Sequence, residues 1–444
     1  MIFLVVLFLT ILSLFLGNYY FKKWFNPLSL YVIIWGVLIS LYEWKLLPYV
    51  NIIPLAWFFI FSSFFSLLLG ISTAFYIRKH FYQDELFAKK SHLDIEIFKD
   101  GGTAVKYMLI VLSLISVFSG VHHWIVLIDM FGSIPSVFLN ATTIYNMHVQ
   151  REIKGFIPYL PIIGYVAIFL AGIHTAYKGR FSVLTFLPFI GIVLKELATV
   201  GRSGMLLALL EFLFTFTFFR YLLNKDSNQR YKFSKKNALF ATTILLVLFI
   251  SSATLVRITR VSGEYYTGAS RELKEMRGNL LITPSIYLYF SSDIGVLSQY
   301  LKFENENIKF GQNSLLPLYD FVAKLGIIQK VPDVQKGYFI PMWVNTGTYI
   351  RELHADFGVI GVFVFPFLLG LAITWYWYNF FNTKSLYSLL ILVYLNLIIG
   401  FSFLQMITRV TYWSTSLILL IILIPLLKKI ANHNVLKGNF NRKT

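Results

Sequence analysis

The chain of 444 residues carries 57% hydrophobic and only 14% charged side chains, with a mean hydropathy of +0.68, too little polar surface to enclose a soluble core of this size. This composition places it among the polytopic membrane proteins. Cysteine is absent, which excludes disulfides and thiolate metal sites; the eight histidines show no metal-ligand spacing; and the net charge of +18 must be located before it is taken as nucleic-acid affinity.

In chain order, about eleven apolar stretches approach the roughly 20 residues that a helix needs to cross a bilayer core. They lie near Met1–Leu16, Pro27–Tyr42, Ile52–Ile77, Ala104–Leu127, Tyr159–Tyr177, Phe181–Val200, Ser203–Leu223, Asn237–Val256, Phe357–Tyr378, Ser385–Phe403 and Tyr412–Leu427. The first has no basic leader and is followed by Lys22 and Lys23, so it is expected to be a retained anchor with its N-terminus outside. Alternating from there, the cations gather in loops predicted inside: Arg78 to Lys99, Lys178 and Arg180, Arg220 to Lys236, and the tail from Lys428 to Lys443. The short outer loops hold few, which is the positive-inside pattern. Much of the charge therefore reports orientation, and nucleic acid is not an expected partner.

The expected organisation is an all-α membrane protein with a bundle of about eight helices over 1–256, an external loop over 257–355, about three further helices over 356–430 and a basic cytoplasmic tail over 431–444. A loop as long as 257–355 is usually functional or disordered. Its stretches Leu280–Leu301 and Leu315–Ile328 are apolar and dotted with Tyr and Phe, composition for a packed or membrane-skimming subdomain. Pro284 and Asp293 interrupt the first of these, which is expected to be re-entrant or interfacial instead of spanning.

Cations at the predicted outer face are candidates for an anionic ligand. Arg257 and Arg260 sit three residues apart, on one face of a helix end. Arg202 lies in Gly201-Arg202-Ser203-Gly204, where glycines allow a tight backbone approach, and Arg409 stands between the last two spans. A planar guanidinium gives phosphate oxygens two parallel hydrogen bonds, so these four are the expected pyrophosphate-binding residues; snorkelling toward lipid headgroups is the competing role. The run Arg351-Glu352-Leu353-His354-Ala355-Asp356 offers three candidate proton acceptors, Glu352, His354 and Asp356. For Asp356 the competing role is to cap the incoming helix, with Gly358 and Gly361 allowing close packing.

Gly201-Arg202-Ser203-Gly204 opening an apolar helix, Tyr287-Leu288-Tyr289-Phe290 and Gln299-Tyr300-Leu301 in the long loop, and Asn345-x-x-Thr348 running into Asp356-Phe357-Gly358-x-x-Gly361 resemble the O-antigen and capsule repeat-unit polymerases of the Wzy type. The resemblance spans roughly the C-terminal half. It implies polymerisation of polyprenyl-pyrophosphate-linked oligosaccharide units at the outer face of the bacterial inner membrane, without a nucleotide sugar, cofactor or required metal. It also implies a flippase and a chain-length regulator as pathway partners. Members with two arginine-rich outer loops carry Arg, ten residues, then Gly; Arg257 and Gly268 match this once, while the outer loop near 128–158 holds only Arg151 and Lys154.

The chemistry expected of such a site is transfer of a sugar from a diphosphate leaving group, with arginines stabilising the leaving charge and a His or carboxylate deprotonating the acceptor. Tyr265, Tyr266, Tyr287, Tyr289, Phe339 and Trp343 could present faces to sugar rings, although packing and interface-belt roles are commoner for such residues. A ligase that moves finished polysaccharide to a lipid acceptor shares these needs. A flippase is the non-enzymatic alternative, but it would be expected to show internal repeats and interrupted midplane helices.

Overall fold

A computed structural model describes residues 2–81, 96–150, 152–225, 243, 271, 275, 284–303, 308–332, 335–340 and 343–440. Every expected span other than the eighth, Asn237–Val256, which lies outside the described residues, carries an α-helix. Among the described residues six helices are long and apolar enough to cross a membrane: α1 (Ile2–Phe21), α3 (Pro54–Phe81), α4 (Thr103–Phe131), α9 (Ser203–Lys225), α13 (Tyr349–Thr383) and α15 (Thr411–Phe440). Three more, α2 (Pro27–Glu43), α7 (Ile162–Lys178) and α14 (Leu386–Phe401), are apolar but shorter. The chain is an α-helical membrane protein.

Local chemistry sets several helix ends. Asn26 precedes Pro27 and its side chain accepts from Ser29 N at 2.9 Å, the arrangement of an N-cap followed by proline at the first helical position. Asp100 accepts from the backbone N–H groups of Gly102, Thr103 and Ala104, which opens α4; Gly132 and Gly179, in the left-handed region, close α4 and α7.

The chain divides into two compact units, each assembled from segments distant in sequence. The first joins 1–87, 263–378 and 395–413. Within it α10 (Pro284–Ser291) and α11 (Asp293–Phe303) fill the stretch expected to be one re-entrant or interfacial helix, which breaks at Ser292. Both dock on the end of α2 and the α2–α3 connection: Tyr287 Oη donates to the Leu41 carbonyl at 2.5 Å, Tyr49 and Ser291 share a hydroxyl contact at 2.5 Å, and Ile53 N donates to Ser298 Oγ at 3.1 Å. A buried hydroxyl cluster, Tyr31, Ser63 and Tyr349, holds α2 and α3 against the start of α13, and Tyr349 N donates to the Ser402 carbonyl at 2.9 Å. Farther along, a Cβ at Gly70 would overlap the Phe367 carbonyl, and one at Gly370 would overlap the Leu67 carbonyl. Glycine at both positions lets the α3 and α13 backbones touch. The unit also holds α12 (Leu316–Lys324) and a two-residue hairpin, β1 (Tyr338–Phe339) with β2 (Trp343–Val344), pairing Phe339 with Trp343.

The second unit, 88–262, 379–394 and 414–444, packs α4 against α8 (Val183–Ala198) and α7 against α9. Trp124 Nε1 donates to the Leu194 carbonyl at 2.9 Å, and Asn434 of α15 donates to Asp100 Oδ2 at 2.9 Å. Short helices α5 (Ile134–Leu139) and α6 (Ala141–Gln150) pack Val137, Ala141 and Ile144 into a cluster with Leu127 and Ala198.

Candidate functional site

Helix α13 begins eight residues before the apolar run that marks it in the sequence, so Arg351, Glu352, His354 and Asp356 are helical. Gly358, with φ 61° and ψ −153°, breaks the helix; a side chain is strained in that conformation, which explains glycine there. The segment Tyr349–Phe357 is thus a short helical spur set off from the rest of α13. At 100° per residue its polar side chains diverge. Glu352 and Asp356 share one face, Arg351 and Ala355 another, and His354 a third.

The Glu352–Asp356 face holds loops in place. Glu352, fully buried, accepts from Gln335 Nε2 at 2.6 Å, from Met406 N, and from Arg409 Nη1 in an ion pair. Asp356, also fully buried, accepts from the backbone N and side-chain amide of Asn313 at 3.0 and 2.8 Å, and from the backbone N and hydroxyl of Ser314 at 2.7 and 2.5 Å. Four donors occupy the acceptor sites a carboxylate has, and none is left for a substrate proton. The competing role, capping the incoming helix, is not what is found either: Asp356 lies inside the spur and ties down the 313–314 loop. Arg409, expected to bind pyrophosphate, is buried and paired with Glu352.

The Arg351–Ala355 face lines a cavity of about 280 Å³, together with Tyr300, Lys309, Gln312, Asn313, Gln335 and Lys336. Arg351 donates to the Lys336 carbonyl at 2.6 Å, and its guanidinium lies over the rings of Tyr300 and Tyr338, at 5.4 and 5.2 Å from their centroids. Three cations and several amides converge here, with no carboxylate among the described lining residues. That donor set suits a phosphate or diphosphate. His354 stands beside it: its Nδ1 is 3.0 Å from the hydroxyl of the cavity residue Tyr300, and its ring packs on Phe59 at 5.2 Å. Of the three candidate bases, His354 is the one joined to the cavity by a single exchangeable hydroxyl.

In the second unit, Arg202 sits at the α8–α9 turn. The left-handed residue of that turn is Val200, at φ 54°, and the glycines have another use. A Cβ at Gly201 or Gly204 would run into the Glu196 carboxylate, and Gly204 N donates to Glu196 Oε2 at 3.3 Å. The glycine-flanked motif wraps an internal carboxylate, which caps α9 and is paired with buried Lys195. A second buried acid, Glu211, accepts from Tyr394 Oη at 3.2 Å. Arg257 and Arg260, like Tyr265, Tyr266 and Gly268, lie outside the described residues.

Sequence reasoning did not single out Lys309, Lys336 or Gln335, named Tyr300 only within the motif Gln299-Tyr300-Leu301, and assigned no role to Arg351. The loop residues among them have no periodicity to reveal their direction, whereas Lys195, Glu196 and Glu211 carried a usable signal, ionisable groups within apolar runs. The chain matches no protein-family model, no curated protein and no solved structure.

One further buried acid belongs to the first unit. Asp293 opens α11 fully buried, and among the described residues neither carboxylate oxygen meets a donor in hydrogen-bonding geometry. Burial pushes its carboxyl well above the usual carboxylate range, and the nearby Thr346 hydroxyl and Arg351 offset this only in part. The native state then holds the proton to higher pH than the unfolded chain does, so stability falls as pH rises from the ordinary carboxylate range toward the native value. Asp293→Asn is expected to flatten that fall and to raise the melting temperature of the detergent-solubilised protein at neutral pH. Unchanged pH dependence in the variant would show that Asp293 does not hold a proton in the native state.

Proposed function

We propose that this chain is a membrane glycosyltransferase that joins polyprenyl-pyrophosphate-linked oligosaccharide repeat units into a surface polysaccharide at the outer face of the bacterial inner membrane. The observation that carries the reading is the cavity of Lys309, Lys336 and Arg351 next to the Tyr300–His354 pair. The donor diphosphate sits among the three cations. An acceptor hydroxyl oxygen attacks the anomeric carbon, the bond from that carbon to the phosphate oxygen breaks, and the electron pair leaves on polyprenyl pyrophosphate. The hydroxyl proton passes by way of Tyr300 to His354. Fixed guanidinium and ammonium groups take the charge that develops on the leaving oxygen. Phe339 and Trp343, both exposed on the hairpin that follows Lys336, offer faces for the sugars.

Topology in this reading follows the charge bias, with about eleven spans, the N-terminus and the 257–355 segment outside, and the tail in the cytoplasm. A flippase that delivers the lipid-linked unit and a chain-length regulator are the partners the chemistry calls for.

The deciding comparison is of lipid-linked glycans in cells with and without the protein, and with His354→Gln. Both losses are expected to leave single repeat units on lipid and at most one unit on the final carrier, with the His354→Gln protein inserted and still binding donor. Long chains trapped on lipid would instead identify a ligase, and single units confined to the cytoplasmic leaflet a flippase.

A further inference from the structure

Helix α12 is amphipathic in the sense opposite to that of a water-soluble helix. Leu315, Leu318, Phe321 and Leu325 recur at spacings of three and four, which sets them on one face. That face points outward: Leu318 is 56% exposed, Phe321 59% and Leu325 60%. The opposite face is the buried one, and it carries Asp320 along with Leu316. Ile327, just past the helix, is 69% exposed. A contiguous outward patch of large apolar side chains with an acid turned inward is unfavourable against water and favourable against hydrocarbon.

The patch continues onto the exposed apolar face of a candidate membrane-spanning helix. Gly311 brings the side chains of Leu315 and Phe357 together, and Ile308 lies against Gly358. Phe357 begins the outward stripe of α13, which runs on through Ile360, Val364 and Leu368, all exposed on a helix long and apolar enough to span. Nine residues of helix rise only about 13 Å, too short to cross a bilayer core of about 30 Å. Lys324 and Lys330, next to the patch in sequence, are exposed, as long cationic side chains at a membrane boundary are.

We infer that α12 lies in the outer-leaflet interface of the bilayer, its Leu318–Phe321–Leu325 face in the acyl region, as an anchor for the external segment. Gln312 and Asn313, which line the cationic cavity, lie in the loop leading directly into this helix. Anchoring α12 therefore holds that loop at headgroup level. Where the cavity binds a lipid diphosphate, as the proposed function has it, that ligand reaches the cations without leaving the membrane; the interfacial placement of α12 does not depend on that reading, and only its leaflet follows the charge-bias topology.

The chain has no cysteine, so single-cysteine variants can be labelled without background. The full chain is reconstituted in vesicles of phosphatidylethanolamine and phosphatidylglycerol as Phe321→Cys, Leu325→Cys, Ile360→Cys and Lys330→Cys, each carrying an environment-sensitive fluorophore. Quenching is measured with nitroxide-bearing lipids and with aqueous iodide. The labels at 321 and 325 are expected to be quenched by the lipid nitroxides like the label at 360, and by iodide several-fold less than the label at 330. Iodide quenching equal to that at 330 overturns the inference in favour of an open aqueous face. Shelter from both quenchers overturns it in favour of a protein partner or second copy. Positions 321 and 325 report independently, and Leu318→Cys replaces either one that fails to insert.

Discussion

If the proposed transfer is this chain's activity, replacing Lys309 and Lys336 together by Gln is expected to slow it by about 10²–10³-fold, the range for losing a preorganised donor to a developing oxyanion. Both lysines line the cavity, and both are more accessible than Arg351, which is buried and bound to the Lys336 carbonyl. Their loss removes charge from the cavity and leaves in place the Lys336 carbonyl that holds Arg351, whereas Arg351→Ala would combine a lost cation with the loss of that hydrogen bond. The measurement is the product ladder formed from lipid-linked donor in proteoliposomes, with a melting curve of each variant alongside. A double variant that folds normally and polymerises at the wild-type rate would move the diphosphate site away from this cavity.

The second large effect is on stability. Arg409→Gln is expected to destabilise the protein by about 3–5 kcal/mol, because it leaves a fully buried Glu352 carboxylate without its cationic partner. Glu352 also anchors Met406 N and Gln335, so the damage should spread to the 402–409 loop and to one wall of the cavity. Adding Glu352→Gln removes the stranded charge and should recover part of the loss. Denaturant or thermal unfolding of the two single variants and the double variant gives the coupling energy. Additive losses, with no coupling between the two positions, would show that the pair is not an energetic unit.

The membrane character of this chain was legible without any structure. Runs such as Pro54–Phe81 and Thr103–Phe131 are apolar over lengths that match a bilayer, and hydropathy is a property of consecutive residues that needs no tertiary information. That the 351–356 run needs partners was legible too, because a cluster of ionisable groups beside an apolar stretch is costly unless its members are paired. What each member does was not. Glu352, His354 and Asp356 were all candidate proton acceptors, and their surroundings diverge because the run is helical and turns each toward a different neighbour: Arg409 and Met406, Tyr300, or the 313–314 loop.

The glycine motif at 201–204 shows the same division. The sequence by itself determined only that the backbone there turns tightly or is approached closely, the two things glycine allows. Only the tertiary structure decided what approaches it, the Glu196 carboxylate arriving from the preceding helix. Lys309 and Lys336 joined the candidate site for a like reason: they lie in irregular segments, where no period relates one side chain's direction to the next, so the cavity they share with Arg351 exists only once the chain is folded.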